Sequence, residues 1–480
     1  MKQLIPWSED EILKATEGVV VSGENRHTFT GISIDSRTIT AGELFVAIEG
    51  INFDGHNFAK EVITKNIKGL VINRQKTAEL LCNKSDNPDL FCVEVDNTTK
   101  ALGDIAAYNR KRANVSVIAI TGSNGKTSTR EMTSAIVSRH FDTLSTIGNL
   151  NNEIGLPLTL LKLSPFNKWA VVELGTNHPG EIARLAKICK PDIGIITNIG
   201  RAHLEGLKSI EGVMNAKGEL LNDIKPGGTV ILNADDERVM RLARKTQRNK
   251  IYFGLSQKAL IKASSIEINK TSTSFTLKLP EDAIRVELPV TGHFMVSNAL
   301  AAASVGYLLK LSAHDIKAGL ENFTSAKSRM NIFALGNGVT VIDDTYNANP
   351  DSMEAAIRSL AGLKGNKRGV LVAGDMLELG IYSEALHKKI GEFCAEFGVE
   401  RLYATGQFSA NVAAGAIIGG MDVSSVFTGS QEDIISDLKE WLMPTDCILI
   451  KGSRAMAMEK IVAKLKEWAG TSAELIKDKA

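Results

Sequence analysis

Short, predominantly apolar runs alternate with helical stretches along most of the chain, as in ELFVAI, GLVIN, WAVVEL and DCILIKG. Runs of this kind are typical of strands buried on both faces, and their alternation with helices favours a mostly parallel sheet covered by helices. Residues 264–290 differ, because polar and apolar residues alternate there, which predicts antiparallel strands. The pattern as a whole predicts an α/β protein.

The strand–helix pattern restarts twice, which predicts three domains. We predict that residues 1–113 form a small N-terminal α/β domain ending in a helix from Thr98 to Arg112. Residues 114–330 are predicted to form a central mononucleotide-binding domain around a phosphate loop, with a mostly parallel sheet. Residues 331–480 are predicted to form a Rossmann-like, doubly wound domain. A chain of 480 residues is too long for one hydrophobic core, which agrees with this division.

Composition narrows the class of function. The 56 Lys and Arg residues nearly cancel the 55 Asp and Glu residues, so no overall basic charge favours nucleic acid or an anionic membrane. The N-terminus lacks the apolar core of a signal peptide, and no run approaches the ~18 apolar residues of a membrane helix. The five dispersed cysteines, without a CxxC pair, are typical of reduced thiols. We therefore expect a cytoplasmic protein with no nucleic-acid partner and no membrane insertion.

The stretch ITGSNGKTSTREM, residues 120–132, has the chemistry of a phosphate-binding loop. Glycines let successive backbone N–H groups turn onto phosphate oxygens, and the following helix adds its positive N-terminal end. In such loops the lysine reaches the β- and γ-phosphates and the next hydroxyl coordinates Mg²⁺. Ile120 stands where the longer pattern GxxxxGK[ST] begins with glycine, and a structural strand-to-helix turn is the alternative. The predicted nucleotide-binding residues are Gly122, Ser123, Asn124, Gly125, Lys126 and Thr127.

Three further residues of the central segment are candidates for metal binding or catalysis. Glu173 and His203 follow predicted strands, at the sheet edge where ligands of such folds bind, although a solvated carboxylate and a capping histidine are the ordinary alternatives. Lys217 lies on the apolar face of a predicted helix, where a charged ammonium is disfavoured. Either its stem runs along the apolar surface to an exposed head, or its neutral amine forms a carbamate that offers Mg²⁺ an oxygen ligand.

Polar residues in unusual places continue into the third segment. Asn298 lies inside an Ala-rich helix, where its amide either recognises adenine or bonds a neighbouring helix. Arg329 either reaches phosphate when domains close or lies on the surface. The stretch VIDDTYNANPDSM, residues 341–353, predicts a ligand-facing loop after a strand. Two more predicted strands end in AGDMLELG and in LIKGSRAMAMEK, where Lys451 and Arg454 are placed to meet an anionic substrate.

These motifs occur together in the order of a known family. TGSNGKTSTREM, GNLNNEIGLP, ELGTNHPGEI, NIGRAHLEGL, NAKGELL, GHFMVSNALAA and KGSRAMAMEK resemble the Mur ligases of peptidoglycan synthesis over nearly the whole chain. DTYNANPDSM and AGDMLELG are similar to the member that adds D-alanyl-D-alanine, whereas the phosphate loop marks only the wider family. The resemblance implies an ATP-dependent ligase that joins D-alanyl-D-alanine to UDP-N-acetylmuramoyl-tripeptide through an acyl phosphate.

The resemblance also implies roles for single residues. Thr127 and Glu173 would hold one Mg²⁺, and His203 and carbamylated Lys217 a second, while Lys126 offsets charge on the transferred phosphoryl group. The positions around adenosine and phosphates are matched by Asn298, Arg329, Asp344 and Tyr346. In the N-terminal domain, SIDSR and ELFVAIEGINFDGHNF match the site for the UDP end, and the implied contacts are Ser36, Arg37, Phe45, Gly55 and His56. The candidates for the amine substrate or domain closure are Asn347, Lys451 and Arg454.

Three alternatives stay open at this stage. A folylpolyglutamate- or cyanophycin-synthetase type of ligase would lack the N-terminal UDP pattern and DTYNANPDSM, which are both present. A nucleotide-regulated binding protein would have no need of a buried Lys217 or of the Glu173 and His203 pair. A small-molecule kinase would form no amide. We expect a monomer, and no motif distinguishes meso-diaminopimelate from L-lysine as the third residue of the stem peptide.

Overall fold

The computed structural model describes residues 4–23, 27–50, 53–80 and 89–470. Its helices and strands form three α/β units, each built around its own main sheet. This architecture confirms the predicted fold class. The proposed domain boundary at 113/114 lies between the last helix of the first unit and the first strand of the second. The one at 330/331 lies directly before the first strand of the third unit.

The N-terminal unit contains a five-stranded sheet in the order β2-β7-β6-β5-β4, where β2 is antiparallel to β7 and the other pairs are parallel. Strands β1 and β3 form a separate antiparallel pair. The elements of this unit are β1 Trp7–Ser8, α1 Glu9–Thr16, β2 Val19–Ser22, β3 Thr28–Phe29, β4 Gly31–Ser33, β5 Glu43–Val46, α2 Ala59–Thr64, β6 Gly69–Asn73, α3 Thr77–Leu80, β7 Phe91–Val95 and α4 Thr98–Ala113.

The central unit has a nine-stranded sheet in the order β16-β15-β14-β13-β12-β11-β8-β10-β9. The pairs from β9 to β14 are parallel, and β14, β15 and β16 are joined in antiparallel pairs, which confirms the predicted antiparallel stretch. Its elements are β8 Ser116–Thr121, α5 Lys126–Val137, β9 Thr143–Ser145, α6 Gly155–Leu160, β10 Trp169–Glu173, α7 Glu181–Cys189, β11 Ile193–Ile196, α8 Leu204–Leu207, α9 Ile210–Gly218, β12 Thr229–Asn233, α10 Glu237–Ala243, β13 Asn249–Gly254, β14 Ile261–Ile268, β15 Thr273–Lys278, β16 Ala283–Leu288, α11 His293–Leu308 and α12 Ala313–Glu321.

The C-terminal unit has a six-stranded sheet in the order β17-β18-β22-β19-β20-β21. Edge strand β17 is antiparallel to β18, and the remaining pairs are parallel, as expected of a doubly wound sheet with one added edge strand. Its elements are β17 Asn331–Ala334, β18 Thr340–Asp344, α13 Pro350–Lys364, β19 Gly369–Ala373, α14 Ser383–Glu396, β20 Arg401–Ala404, α15 Ser409–Ile418, β21 Val426–Thr428, α16 Gln431–Trp441, β22 Cys447–Lys451 and α17 Glu459–Ala469.

Strand order decides which loops meet. In the central sheet, β8 lies between β10 and β11, so the loops after these three parallel strands share one edge. In the C-terminal sheet, β18 pairs with β22, and the register puts Asp344 opposite Lys451 at the carboxyl ends of both strands. Residues that are far apart in sequence are therefore brought to two neighbouring sheet edges.

Two predictions drawn from composition have a structural counterpart. Cys92, Cys189, Cys394 and Cys447 are buried thiols outside any disulfide, whereas Cys82 lies outside the described residues. Burial raises the pKa of the Cys189 thiol to about 12, which keeps it protonated and unreactive. Within the ranges that the structure describes, no helix has both the length and the apolar composition needed to cross a membrane.

Candidate active site

The phosphate loop connects β8 to α5, whose first residue is Lys126. Gly122 and Gly125 have positive φ angles of 152° and 80°. A Cβ on Gly122 would lie 1.8 Å from Thr197 Oγ1, and one on Gly125 would lie 2.1 Å from Asn298 Oδ1. Both backbone conformation and space therefore require glycine, and the turn aims the N-terminus of α5 at the sheet edge.

The segment after β11 holds this loop in place. Ser123 Oγ donates to the Gly200 carbonyl at 3.1 Å and accepts from the Gly200 N–H at 2.8 Å. The Asn124 N–H donates to Asn198 Oδ1 at 2.9 Å. These bonds tie the phosphate loop to the segment after β11 and fix the conformation of the loop.

The Lys126 ammonium folds back over the loop. Its Nζ donates to the Gly122 carbonyl at 2.8 Å. Burial lowers the pKa of Lys126; the Glu173 carboxylate raises this pKa, while the Arg329 guanidinium lowers it. The lysine thus lies beside the cradle, in reach of a phosphate placed there.

Glu173, the last residue of β10, is buried at 3% exposure and is held by two donors. Thr127 Oγ1 donates to its Oε2 at 3.0 Å, and Asn151 Nδ2 donates to its Oε1 at 2.9 Å. Arg130 Nε lies 3.9 Å from Oε2 and adds a positive charge behind the carboxylate. A hydroxyl, a carboxylate and an amide from three separate segments converge here, and such hard oxygen donors suit Mg²⁺.

His203 lies just before α8 in the left-handed conformation, with a φ of 55°. Its Nδ1 is 2.5 Å from Glu378 Oε2, a residue of the AGDMLELG loop in the C-terminal unit. Burial lowers the pKa of His203, and the bond to Glu378 opposes this shift. The same bond holds the pKa of the Glu378 carboxyl below its usual range. A residue of the central unit is therefore oriented by the C-terminal unit.

Lys217 lies in α9 and is 1% exposed, as its position on the apolar stripe predicts. Burial lowers the pKa of its ammonium well below the ordinary value, and the charge of Lys126 lowers it further. None of the described residues offers Lys217 a hydrogen bond or an ion pair, and it does not line the main cavity. The amine is thus buried, burial favours its neutral form over the ammonium, and it has no hydrogen-bond or ion-pair partner among those residues.

Residues of the C-terminal unit, together with Arg329 at the end of the central unit, complete the site. The Arg329 guanidinium lies 4.0 Å from the centre of the Tyr346 ring, in a cation–π arrangement. Lys451 is 3% exposed, and its Nζ donates to Asp344 Oδ2 at 2.5 Å and to the Asn347 carbonyl at 2.8 Å. This buried ion pair joins the ends of β18 and β22 and fixes the loop between β18 and α13.

A cavity of about 1290 Å³ lies between the central and C-terminal units. Many of the predicted site residues line it. They are Ser123, Asn124, Gly125, Lys126, Thr127, Glu173, His203, Asn298, Arg329, Asp344, Tyr346, Asn347, Lys451 and Arg454. Arg454 is exposed at the rim, and its guanidinium pairs with Glu459 at 2.8 Å.

Asn298 has a structural neighbour as well as a place on the cavity wall. It is 4% exposed in α11, and Thr129 Oγ1 donates to its Oδ1 at 3.4 Å. Its amide also lies against Gly125. Both interpretations made from the sequence, adenine recognition and inter-helix bonding, are compatible with this position.

The predicted UDP contacts of the N-terminal unit do not line this cavity. They are Ser36, Arg37, Phe45, Gly55 and His56. Phe45 is 1% exposed, and its side chain packs in the hydrophobic core of that unit. His56 Nε2 accepts from the Asn73 N–H at 2.9 Å, and its Nδ1 lies 2.5 Å from Asp54 Oδ1. The exposed Arg37 pairs with Asp35 at 2.7 Å, and these contacts stay predictions.

Several residues at the site received no role from the sequence. Residues 149–152 contain three asparagines, and this concentration of amide side chains was a signal in the sequence. Asn151 donates a hydrogen bond to Glu173. Asn349 caps α13, and its Nδ2 donates to Asn124 Oδ1 at 2.8 Å. Glu378 and the Arg201–Asp351 pair carry no local signal, because their partners lie in another unit.

This combination defines a class of protein. A phosphate loop leading into a helix, an adjacent hydroxyl and carboxylate, and basic residues from a second unit across a cavity are the parts of an ATP-dependent phosphoryl-transfer enzyme. Three family models match the chain in succession. They are the Mur ligase family, catalytic domain, over residues 28–110, the Mur ligase middle domain over 120–306, and the Mur ligase, glutamate ligase domain over 328–454. The chain belongs to the Mur ligase family.

Individual relatives agree over nearly the full length. The chain is 37% identical over 444 residues to UDP-N-acetylmuramoyl-tripeptide–D-alanyl-D-alanine ligase of Escherichia coli K12, covering 92% of this chain and 94% of the relative. A crystal structure of MurF from Acinetobacter baumannii superposes with a TM-score of 0.88 at 34% identity, covering 97% and 100% of the two chains. The MurF ligase of Thermotoga maritima in complex with ADP gives a TM-score of 0.81 at 25% identity, covering 92% and 97%.

Proposed function

We propose that this chain joins D-alanyl-D-alanine to UDP-N-acetylmuramoyl-tripeptide, with cleavage of ATP to ADP and phosphate, and so makes UDP-N-acetylmuramoyl-pentapeptide for peptidoglycan synthesis. The observation that carries the proposal is the phosphate loop and Glu173 facing a cavity whose other wall is the C-terminal unit. The chain also matches a ligase of this name over 92% of its length.

The reaction needs activation because a carboxylate is a poor electrophile at neutral pH. The γ-phosphoryl group of ATP passes to the terminal carboxylate of the tripeptide, and an acyl phosphate forms. The amine of D-alanyl-D-alanine attacks this carbonyl carbon and loses a proton, and the tetrahedral intermediate expels phosphate as the amide forms. The C-terminal unit covers the cavity, so it limits hydrolysis of the acyl phosphate by water.

Charge on the transferred group is offset by groups of this chain. Lys126 and the N-terminus of α5 face the β- and γ-phosphates, and Arg329 adds a second cation from the unit boundary. These groups act as fixed positive charges while the phosphoryl group moves. Asn298 and Tyr346 line the same cavity, and we assign them to the adenosine.

Mg²⁺ fits the donor set beside the loop. Thr127 Oγ1 and Glu173 Oε2 are 3.0 Å apart and are the hard oxygen ligands that this ion prefers. Bound Mg²⁺ supplies positive charge at the β- and γ-phosphate oxygens. A second ion would be held by His203 and by a carbamate on Lys217, whose buried amine lacks any described partner and would gain a ligating oxygen by this modification.

The other substrate sites follow the arrangement of the units. We place the UDP end on the N-terminal unit near Ser36, Arg37, Gly55 and His56. The incoming amine is placed beside Asn347, Lys451 and Arg454 at the C-terminal wall of the cavity. We propose that the protein acts as a monomer. We propose that it works in the bacterial cytoplasm, where nucleotide-linked precursors and reduced thiols occur together.

The test is a phosphate-release assay with ATP, Mg²⁺, UDP-N-acetylmuramoyl-tripeptide and D-alanyl-D-alanine, in which each component is omitted in turn. We expect release only from the complete mixture, with a UDP-muramoyl-pentapeptide in the mass spectrum. Separate assays with the diaminopimelate and the lysine tripeptide decide the third residue.

The remaining alternatives give other products in the same assay. A kinase would yield a stable phosphorylated product and no amide, and a nucleotide-regulated binding protein would release no phosphate that depends on both other substrates. Amide formation on a folate or amino-acid acceptor in place of the muramoyl tripeptide would refute the proposed substrate.

A further inference from the structure

Asp351 and Arg201 join the C-terminal unit to the segment that supports the phosphate loop. Asp351 lies in the first turn of α13, and Arg201 follows β11 in the central unit. Arg201 Nε donates to Asp351 Oδ1 at 2.7 Å, and Nη2 lies 2.6 Å from the same oxygen. The Arg201 backbone N–H donates to Oδ2 at 2.5 Å. One carboxylate is therefore held by a side chain and by the backbone, a rigid arrangement.

The Arg201–Asp351 contact is linked to the phosphate loop by hydrogen bonds. Gly200, which precedes Arg201, exchanges two hydrogen bonds with Ser123 of the phosphate loop. Asn349, two residues before Asp351, donates from its amide to Asn124 Oδ1 at 2.8 Å. The start of α13 thus contacts the phosphate loop directly through Asn349 and indirectly through Asp351, Arg201 and Gly200.

The close approach of the Asp351 carboxylate to the backbone of Gly200 is possible because glycine has no side chain. A Cβ on Gly200 would lie 2.2 Å from Asp351 Oδ2, so the carboxylate occupies space that only glycine leaves open. Gly200 does not have a positive φ, so its backbone conformation is open to other residues. Its role is therefore to admit the carboxylate.

We propose that Asp351 and Arg201 are positioning residues for ligation, which dock the start of α13 on the phosphate loop and so bring Asn347 and Lys451, with the incoming amine, to the acyl phosphate. This inference rests on the proposed function, because it assigns these residues to the ligation step. Neither residue needs to touch ATP for this role. Their loss is expected to slow ligation while ATP still binds the central unit.

Three variants perturb the contact in different ways. Asp351→Asn removes the charge and keeps the shape, Arg201→Lys keeps the charge and loses the two-nitrogen contact, and Gly200→Ala displaces the carboxylate without changing any charge. The matched control is Glu267→Gln, which removes an exposed ion pair with Arg285 on the far, antiparallel part of the central sheet. Thermal unfolding and ADP binding establish that each variant is folded.

Two measurements on the full chain test the proposal. In steady-state kinetics we expect Asp351→Asn and Gly200→Ala to lower kcat about tenfold or more, with the KM for ATP within about threefold, because misplacing a reacting group affects the rate more than ground-state binding. Arg201→Lys should retain an intermediate kcat. In small-angle X-ray scattering we expect a larger radius of gyration for Asp351→Asn and Gly200→Ala than for the wild type and Glu267→Gln.

An unchanged kcat in both Asp351→Asn and Gly200→Ala would overturn the proposal, and so would an unchanged radius of gyration. A kcat loss accompanied by an equal loss of ATP affinity would also overturn it, since the residues would then serve nucleotide binding. A wild-type protein that forms no amide would refute the proposed function instead, and the scattering comparison would still decide whether the pair docks the two units.

Discussion

The Thr127 hydroxyl donates a hydrogen bond to Glu173 Oε2 at 3.0 Å, and so joins the first turn of α5 to the end of β10. The other carboxylate oxygen accepts from Asn151 Nδ2 at 2.9 Å. A carboxylate held at both oxygens has one orientation, and this orientation faces the phosphate cradle. These two hydrogen bonds thus fix the carboxylate that we propose as a Mg²⁺ ligand.

Removing the negative charge of Glu173 should reduce the rate of ligation more than the affinity for nucleotide. Glu173→Gln keeps the size of the side chain and its acceptor oxygen, but it loses the anion that would balance Mg²⁺. We expect kcat to fall about 10²–10³-fold, as for other losses of transition-state stabilisation, and the Mg²⁺ concentration needed for half-maximal rate to rise. Initial rates across a Mg²⁺ titration measure both, with Glu267→Gln as control. A wild-type rate at saturating Mg²⁺ would remove Glu173 from the metal site.

The glycine of the loop that faces Asn298 should tolerate no side chain. Gly125→Ala places a Cβ 2.1 Å from Asn298 Oδ1, at a backbone φ of 80° that alanine rarely adopts. We expect ATP affinity, measured by calorimetry, to fall at least about tenfold, because a displaced loop no longer aims its N–H groups at phosphate. Gly227→Ala is the matched control, since Gly227 also has a positive φ, of 78°, but faces open space. Equal ATP affinities in the two variants would contradict the proposed role of the loop in binding phosphate.

Lys217 should carry a carbamate at neutral pH. Because burial lowers the pKa of this lysine, more of its amine is neutral at a given pH than in an exposed lysine, and only the neutral amine reacts with carbon dioxide. We expect a carbamate carbon signal in the ¹³C NMR spectrum of protein equilibrated with ¹³C-bicarbonate at pH 8, and its loss on acidification as the amine becomes protonated. Lys217→Arg should lack the signal. A wild-type spectrum without it would refute the modification.

His387 should make the stability of the C-terminal unit sensitive to acid. This buried histidine accepts the Met376 N–H at Nε2, at 2.8 Å, and its Nδ1–H donates to the Ser383 carbonyl at 2.7 Å. Burial lowers the pKa of His387 below 6.5, so the unfolded chain binds more protons between that folded-state pKa and 6.5. The stabilisation is therefore complete above pH 6.5 and is lost as pH falls through the folded-state pKa.

Urea unfolding at two pH values measures this effect. At pH 7.5 we expect His387→Gln to lower the free energy of unfolding by about 1–3 kcal/mol, through the altered buried hydrogen bonds. At pH 5 the difference in the free energy of unfolding between His387→Gln and the wild type should be smaller, because protonation of His387 then destabilises the wild type. The control is His314→Gln, an exposed histidine in α12. A pH-independent difference would show that protonation of His387 plays no part.

Local features of the site could be predicted because neighbouring residues create them. The phosphate loop depends on the backbone freedom of Gly122 and Gly125 and on the helix that follows, all within one short stretch. The burial of Lys217 follows from its place on a 3.6-residue stripe, and the structure confirms that burial. Glu173 could be placed at the sheet edge because it ends an apolar strand.

Contacts between units could not be predicted in this way. Arg201 and Asp351 are separated by 150 positions, and neither stands out in its own segment. Glu378 could be assigned to a strand end, but only the docking of the C-terminal unit brings it to His203. The burial of the Phe45 side chain in the N-terminal unit is likewise a result of tertiary packing that the family motif does not specify.

The sequence by itself determined the α/β class, the three strand–helix series and the phosphate loop, since periodicity, glycine content and strand-end chemistry act over a few residues. Tertiary structure alone decided which loops meet. The order of β10, β8 and β11 brings Glu173, Lys126 and His203 to one edge, and the register of β18 with β22 pairs Asp344 with Lys451. The reason is physical: hydrogen-bonded strand order and the packing of one unit on another depend on the whole chain folding together, whereas a loop depends on its own backbone.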